Sequence, residues 1–304
     1  MRKVSFPLFL LVIAFLSTGC FERFPAKYSE TVELSVALPV GGTLRVSTLN
    51  GAVLVQSGEV QEVKVTAQKT VRSRTEEEAR KFCEETKLET QTDASGATVS
   101  VVLPQDYQRR ANIGVSIMAI VPRTCNLDLR TSNGRVEARE IDGNVELRTS
   151  NGGVDVLKVK GGAVMRSTNG RIAGEDIGGK VLAETTNGGI ELTKVSGDVE
   201  ALTSNGRVTI SDVGGDIRCR TSNGRIELSN VVASADAVTS NGSVICRVPK
   251  DVSAKVSAMT SNGKARCDFP LAIRHGRFSG KLGDGEHTIE LETSNGNVAL
   301  EKMP

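Results

Sequence analysis

The side chains able to do covalent or acid–base chemistry are few in this 304-residue chain. Six cysteines stand at Cys20, Cys83, Cys125, Cys219, Cys246 and Cys267, and two histidines at His275 and His287. No spacing among them resembles a zinc site, and neither histidine lies near a nucleophile motif in sequence. Carboxylates recur more regularly. Glu137, Asp155, Glu191 and Glu227 each follow an Asn-Gly asparagine by four positions, with Ala173 and Thr209 interrupting the series. Carboxylates gathered on one face are what polysaccharide cleavage needs, so a glycan-acting β-helix enzyme of lyase or hydrolase type is one reading. A solvated acidic face is the other. Sugar platforms of exposed aromatics are absent from the array, because no Phe, Tyr or Trp falls between residues 108 and 268. Arg135, Arg171, Arg207 and Arg225 sit just after the same turns and form either a basic edge for anionic partners or ordinary surface charge. No catalytic residue, metal ligand or cofactor site is assigned.

The elements that carry these residues are set by one period. Asn133, Asn151, Asn169, Asn187, Asn205, Asn223 and Asn241 are each followed by glycine, and each lies eighteen residues after the last. Loops between independent elements tolerate insertions, so an unbroken spacing marks a repeat whose units bury their apolar faces against one another. Asn-Gly between alternating residues also signals a hairpin, and an antiparallel meander is the competing arrangement. In a parallel coil, identical residues stack about 4.8 Å apart and the Asn amides form a ladder inside the bend. In a meander they do not meet.

Stacked copies show apolar columns. Three after Asn stand Val136, Val154, Ile172, Ile190, Val208, Ile226 and Val244; further columns lie five, eight and twelve after Asn. Seven after Asn the signs alternate through Glu140, Lys158, Asp176, Lys194 and Asp212, as stacked neighbours prefer. A second turn column, Gly143, Gly161, Gly179, Gly197 and Gly215, lies ten after Asn, and both glycine columns are expected to supply positive φ. The fold class expected is therefore all-β, a parallel β-helix or β-solenoid of about eighteen residues per coil, with one short helix near the N-terminal end.

Arg2 and Lys3, the apolar run Phe6 to Leu16, and Ser17-Thr18-Gly19-Cys20 form an export signal over residues 1–19 of lipoprotein type. Cys20 is the expected lipid attachment, with Ser17 where the common pattern has leucine; an ordinary secretory signal is the alternative. Residues 20–30 read as a tether, and 31–130 as strands with a helix over about 75–87, started by a Thr75–Glu78 capping box. The regular repeat runs over 131–268, and 269–304 closes the C-terminal end. Loss of Arg2 and Lys3 with the signal leaves 36 basic against 36 acidic residues. Without positive charge in excess or in blocks there is no footprint for nucleic acid.

Cys246 and Cys267 occupy the same column one sequence repeat apart, so they form either a disulfide or two stacked thiols. Cys83 and Cys125 form a second candidate pair, which an exported protein permits.

The recurring TSNG, introduced by VPRTCNLDLRTSNG and closed by GDGEHTIELETSNGNVAL, resembles a bacterial family of β-strand-repeat envelope proteins and lipoproteins grouped as adhesins. The likeness runs from about Thr31 to the end. It implies a β-helix fold, an envelope setting and adhesion, and brings no site residues. The function expected is a non-enzymatic envelope lipoprotein, adhesin or scaffold, anchored by its N-terminal lipid and facing an envelope or surface protein or glycan. An outer membrane, if present, is the expected home, since Phe21 and Glu22 follow Cys20 where inner-membrane retention commonly uses Asp.

Overall fold

The computed structural model describes residues 24–303. The signal segment and Cys20 lie outside them. Two parallel-rich sheets of 13 strands each face one another, and the chain crosses between them once per half coil. In the first sheet Val136 pairs with Val154, Val154 with Ile172, and so on through Ile190, Val208 and Ile226 to Val244, in register at steps of eighteen. In the second sheet Leu127, Val145, Ala163, Val181, Val199, Ile217 and Ala235 pair likewise. The chain is a β-solenoid, and the meander is excluded. Its core is the space between the sheets, filled by the buried Val, Ile and Leu columns. Full burial of each such side chain stabilises by about 1.5–3 kcal/mol.

One feature of the columns needs a backbone device. Inward residues lie three, five and eight after Asn, and the odd step from five to eight breaks the two-residue alternation of a strand. The residue seven after Asn absorbs it. Glu140, Lys158, Asp176, Lys194, Asp212 and Asn230 all have φ between 54° and 59°, and the paired register skips them: Leu157 meets Arg139 and Val159 meets Ile141 while Lys158 is passed over. The extra residue bulges the strand and turns Ile141, Val159, Ile177 and Val195 back into the core. In that column Lys158 Nζ reaches Glu140 Oε1 at 3.4 Å, and Asn230 Nδ2 donates to Asp212 Oδ1 at 2.8 Å.

The turn glycines act differently from the expectation. Gly134, Gly152, Gly170 and Gly188 do not have positive φ. They are needed because the coils stack backbone on backbone. A Cβ on Gly152 would lie 1.9 Å from the Gly134 carbonyl oxygen, and one on Gly161 2.4 Å from that of Gly143.

Both ends depart from sequence order. At the N-terminal end, Val53–Gly58 lies between Ala111–Pro122 and Val136–Ile141, and Thr43–Ser47 lies between Gly96–Val102 and Asn126–Arg130. At the C-terminal end, Val298–Lys302 lies between Val244–Val248 and Ala265–Cys267, and His287–Thr293 between Ala235–Thr239 and Ala254–Thr260. The final strands thus thread back one layer. Sequential stacking ends at Val248, short of the expected 268, because the coil of 254–267 leaves a layer vacant for them. The segment beyond 269 therefore completes the core from within as well as closing its end.

Outside the coils, antiparallel strands finish the N-terminal end, with Ala26–Val36 on Val63–Ser73 and the latter on Ala111–Pro122. The first strand starts at Ala26, inside the expected tether. The helix is Glu76–Glu85, with Thr75 Oγ1 accepting from the Glu78 amide at 3.2 Å and Ala79, Phe82 and Cys83 buried against Ala26–Val36, Val63–Ser73 and Ala111–Pro122. Lys69 pins it there. Its Nζ donates to the Cys83 and Thr86 carbonyls at 3.1 and 3.2 Å and pairs with Glu30 at 2.6 Å. A second helix of one turn, Tyr107–Arg110, was not expected.

Candidate functional site: the amide ladder and the outer faces

The asparagine column is a continuous hydrogen-bonded ladder. Asn133 donates its Nδ2 to Asn50 Oδ1 at 2.6 Å, Asn151 to Asn133 at 2.7 Å, and Asn169, Asn187 and Asn205 each to the rung before at 2.8 Å. Asn223 and Asn241 follow at 2.9 Å, then Asn295 on Asn241 at 2.8 Å and Asn262 on Asn295 at 2.9 Å. At the other end Asn50 Nδ2 donates to the Ile113 carbonyl at 3.2 Å. Ten rungs are joined, three more than the seven of the strict period. The ladder faces solvent, where the expectation placed it inside the bend. The interior is held by threonine instead.

That second ladder is the feature sequence reasoning missed. Thr131, Thr149, Ser167, Thr185, Thr203, Thr221 and Thr239, two before each Asn, are buried. Each hydroxyl donates to the glycine carbonyl of the neighbouring coil, Thr149 to Gly134 at 2.9 Å and Thr203 to Gly188 at 3.0 Å. Its signal was the first letter of TSNG, a polar residue in a column of alternating inward positions.

The expected carboxylate column lies on the outside of the first sheet and is met by arginine. Arg135 Nε bridges Asp155 at 2.8 Å and Glu137 at 3.4 Å; Arg139 also pairs with Glu137, Arg171 with Glu191, and Arg225 with Glu227 at 3.0 Å. Acidic groups converge elsewhere, on the outside of the second sheet. Asp198, Glu200, Asp216, Asp236 and Glu290, with Lys180 and Arg218, line an open groove of about 430 Å³. Asp198 Oδ1 accepts from the Asp216 amide and Asp216 Oδ1 from the Ser234 amide, both at 3.1 Å. Arg220 and Arg218 hold Asp236 at 3.0 and 3.7 Å. The columns eleven and thirteen after Asn carried this signal. Among the described residues, no three or more His, Cys, Asp or Glu are grouped so as to hold a metal ion. His275 and His287 do not line this groove.

Neither candidate cysteine pairing is formed; Cys83, Cys125, Cys219, Cys246 and Cys267 are free thiols. Cys246 and Cys267 are separated by Leu300, the register partner of each. Two inter-strand spacings then lie between them, about 9.6 Å, beyond the reach of a disulfide. Cys83 sits on its helix with Sγ 3.7 Å from Glu30 Oε2, whereas Cys125 is buried beside the turn glycine Gly143. Burial pushes the thiols of Cys125 and Cys246 up to about 12 and that of Cys83 up to about 11.

Residues 24–301 match the model of the Toastrack DUF4097 family. The chain belongs to that family. Among curated protein sequences none matches. Solved structures overlap the Toastrack chain at low identity. The "putative cell adhesion protein" of Clostridium sporogenes ATCC 15579 is 11% identical over 91% of this chain and 100% of its own, with a TM-score of 0.27. The "putative adhesin" of Bacteroides fragilis NCTC 9343 is 13% identical over 92% and 99%, at 0.31. The "putative lipid binding protein" of Parabacteroides distasonis ATCC 8503 is 12% identical over 89% and 96%, at 0.36.

Proposed function

We propose that this Toastrack protein is a non-enzymatic cell-envelope lipoprotein, exported and lipidated at Cys20, that presents its solenoid to a partner as an adhesin or envelope scaffold. The observation that carries the reading is the double ladder. Asn amides outside and Thr hydroxyls inside tie each coil to the next, so side chains on both outer faces stand at a fixed spacing along the whole stack. A surface so held can meet an extended protein or glycan without first ordering itself, which lowers the cost of binding.

The test is surface accessibility on living cells by protease shaving, with a Cys20→Ala control that releases the protein from the membrane. Digestion from outside supports an adhesin. Protection until the outer membrane is opened supports a periplasmic scaffold. Loss of neither anchoring nor location in the Cys20→Ala control rejects the lipoprotein reading.

A second reading, a glycan-acting enzyme, is favoured by the acidic groove at Asp198, Glu200, Asp216, Asp236 and Glu290. It requires turnover of an envelope or extracellular glycan that Glu200→Gln or Glu290→Gln abolishes. Turnover of that kind would replace the proposal.

A further inference from the structure

All ten Asn-Gly dipeptides of the chain are rungs of the ladder. In a flexible chain this dipeptide is chemically labile, because a glycine without Cβ lets its backbone nitrogen reach the asparagine Cγ. The new N–C bond expels the side-chain nitrogen as ammonia. Water then opens the succinimide to aspartate or isoaspartate, so the whole reaction consumes water and releases ammonia. Ring closure needs the side chain to swing towards the following glycine, and the ladder opposes that swing.

The opposition is unequal along the stack. The rungs from Asn133 to Asn241, and Asn295, each donate Nδ2 to one neighbour and accept at Oδ1 from the other, while Asn50 accepts from Asn133 and donates to Ile113. Asn262 is the last rung: it donates to Asn295, and among the described residues no further rung donates to its Oδ1. The glycines follow the same order. Gly170, Gly188, Gly206 and Gly224 are buried, and Gly51, Gly134, Gly152, Gly242 and Gly296 are half-buried. Gly263 is exposed, as are Ser261, Asn262 and Lys264 around it. It leads into Ala265–Cys267, the three-residue edge strand of the first sheet. Edge segments with few contacts open at the low end of the free-energy range.

We infer that Asn262–Gly263 is the site at which this protein spontaneously deamidates, and that the ladder shields its other nine Asn-Gly dipeptides. An aspartate at 262 has no amide to donate to Asn295, so the reaction removes the terminal rung and leaves the neighbouring rungs in place.

The experiment is incubation of the intact folded protein at mildly alkaline pH, with an identical sample in urea, followed by peptide mass mapping and enzymatic detection of isoaspartate. In the folded sample the peptide Val256–Lys264 gains the mass of an amide-to-acid exchange about tenfold or more faster than any peptide carrying an inner rung, as differential local opening predicts. In urea the ten dipeptides react at similar rates. Reaction first at an inner rung, equal rates in the folded and urea samples, or no reaction at Asn262 after the urea sample has fully reacted would each overturn the inference.

Discussion

Asn295 donates its side-chain amide to Asn241 at 2.8 Å although the two stand 54 residues apart in sequence. Asn262, much nearer in the chain, donates to Asn295 instead and has no bond to Asn241 among the described residues. The chain end is therefore an internal layer of the stack, and removing it exposes the faces of two coils at once. Deletion of residues 287–303 is expected to free the segment 254–282, since its strands pair with His287–Thr293 and Val298–Lys302. Limited proteolysis checks this: cleavage should concentrate after Val248 while the coils from 131 to 248 resist.

The two ladders can be weighed against each other by substitution. Thr203→Val removes a buried hydroxyl that donates to Gly188, and it should cost about 1–3 kcal/mol, because the carbonyl is left unpaired away from water. Asn205→Ala removes two exposed amide bonds and should cost no more than about 1.5 kcal/mol, since water replaces the partners. Denaturant unfolding of each variant gives the order. A larger loss at Asn205 would mean that the exposed column is the main tie.

The residues seven after Asn hold a left-handed backbone that ordinary side chains adopt at a cost of roughly 1–2 kcal/mol. Asn230 already meets that demand with a tolerant residue. Lys194→Gly, at φ 57°, is expected to stabilise the protein by up to about 1 kcal/mol, less the extra freedom glycine gains in the unfolded chain. The shift in the denaturation midpoint measures it.

Thiol reactivity should follow burial. Cys219 and Cys246 are fully buried with raised thiol pKa, whereas Cys267 is partly exposed and raised first by its partial burial and then by the neighbouring Asp268 charge. Labelling of the folded protein at neutral pH is expected at Cys267 first, with Cys219 and Cys246 reacting only on unfolding. Mass mapping under mild oxidation should find no Cys246–Cys267 bridge.

Acid should loosen the N-terminal helix. The Lys69 hydrogen bond lowers the Glu30 carboxyl below its ordinary value, and hydrogen bonds from Arg110 and Ser73 do the same for Glu78. Folded values below unfolded ones mean that the stability from these carboxylates is present above the unfolded value of about 4.3 and is lost as pH falls through the folded values. Lys69→Met removes the Glu30 partner, so the acid dependence in this region should weaken along with overall stability. Unfolding followed from pH 6 down to about 2 in both proteins tests the sign.

The sequence pattern carried the solenoid further than it carried its ends. Seven evenly spaced Asn residues and the Val136-to-Val244 column specified the register of every inner coil, because stacking leaves each column one neighbour on either side. The spacings of 21 and 33 residues before Asn262 and Asn295 marked an irregularity without its meaning. Loop length does not say whether a strand is added beyond the last coil or beneath it, and placing Cys267 directly on Cys246 followed from assuming the former. Glycine chemistry misled in a similar way: a turn glycine is most often needed for its φ, and here it is needed for the carbonyl packed against its Cα. The acidic groove was missed because its carboxylates belong to columns that hold lysine, asparagine or arginine in other coils, so no column looks acidic when read alone.

Cross-linking of outward residues tests the layer order most directly. In a Cys267→Ala background, Arg247→Cys with Glu301→Cys joins two register partners that form a 3.0 Å ion pair in the native chain. Arg247→Cys with Asp268→Cys joins positions that would be neighbours if the coils stacked in sequence order. The threaded solenoid predicts a disulfide in the first variant and free thiols in the second. A disulfide between positions 247 and 268, with none between 247 and 301, would contradict it.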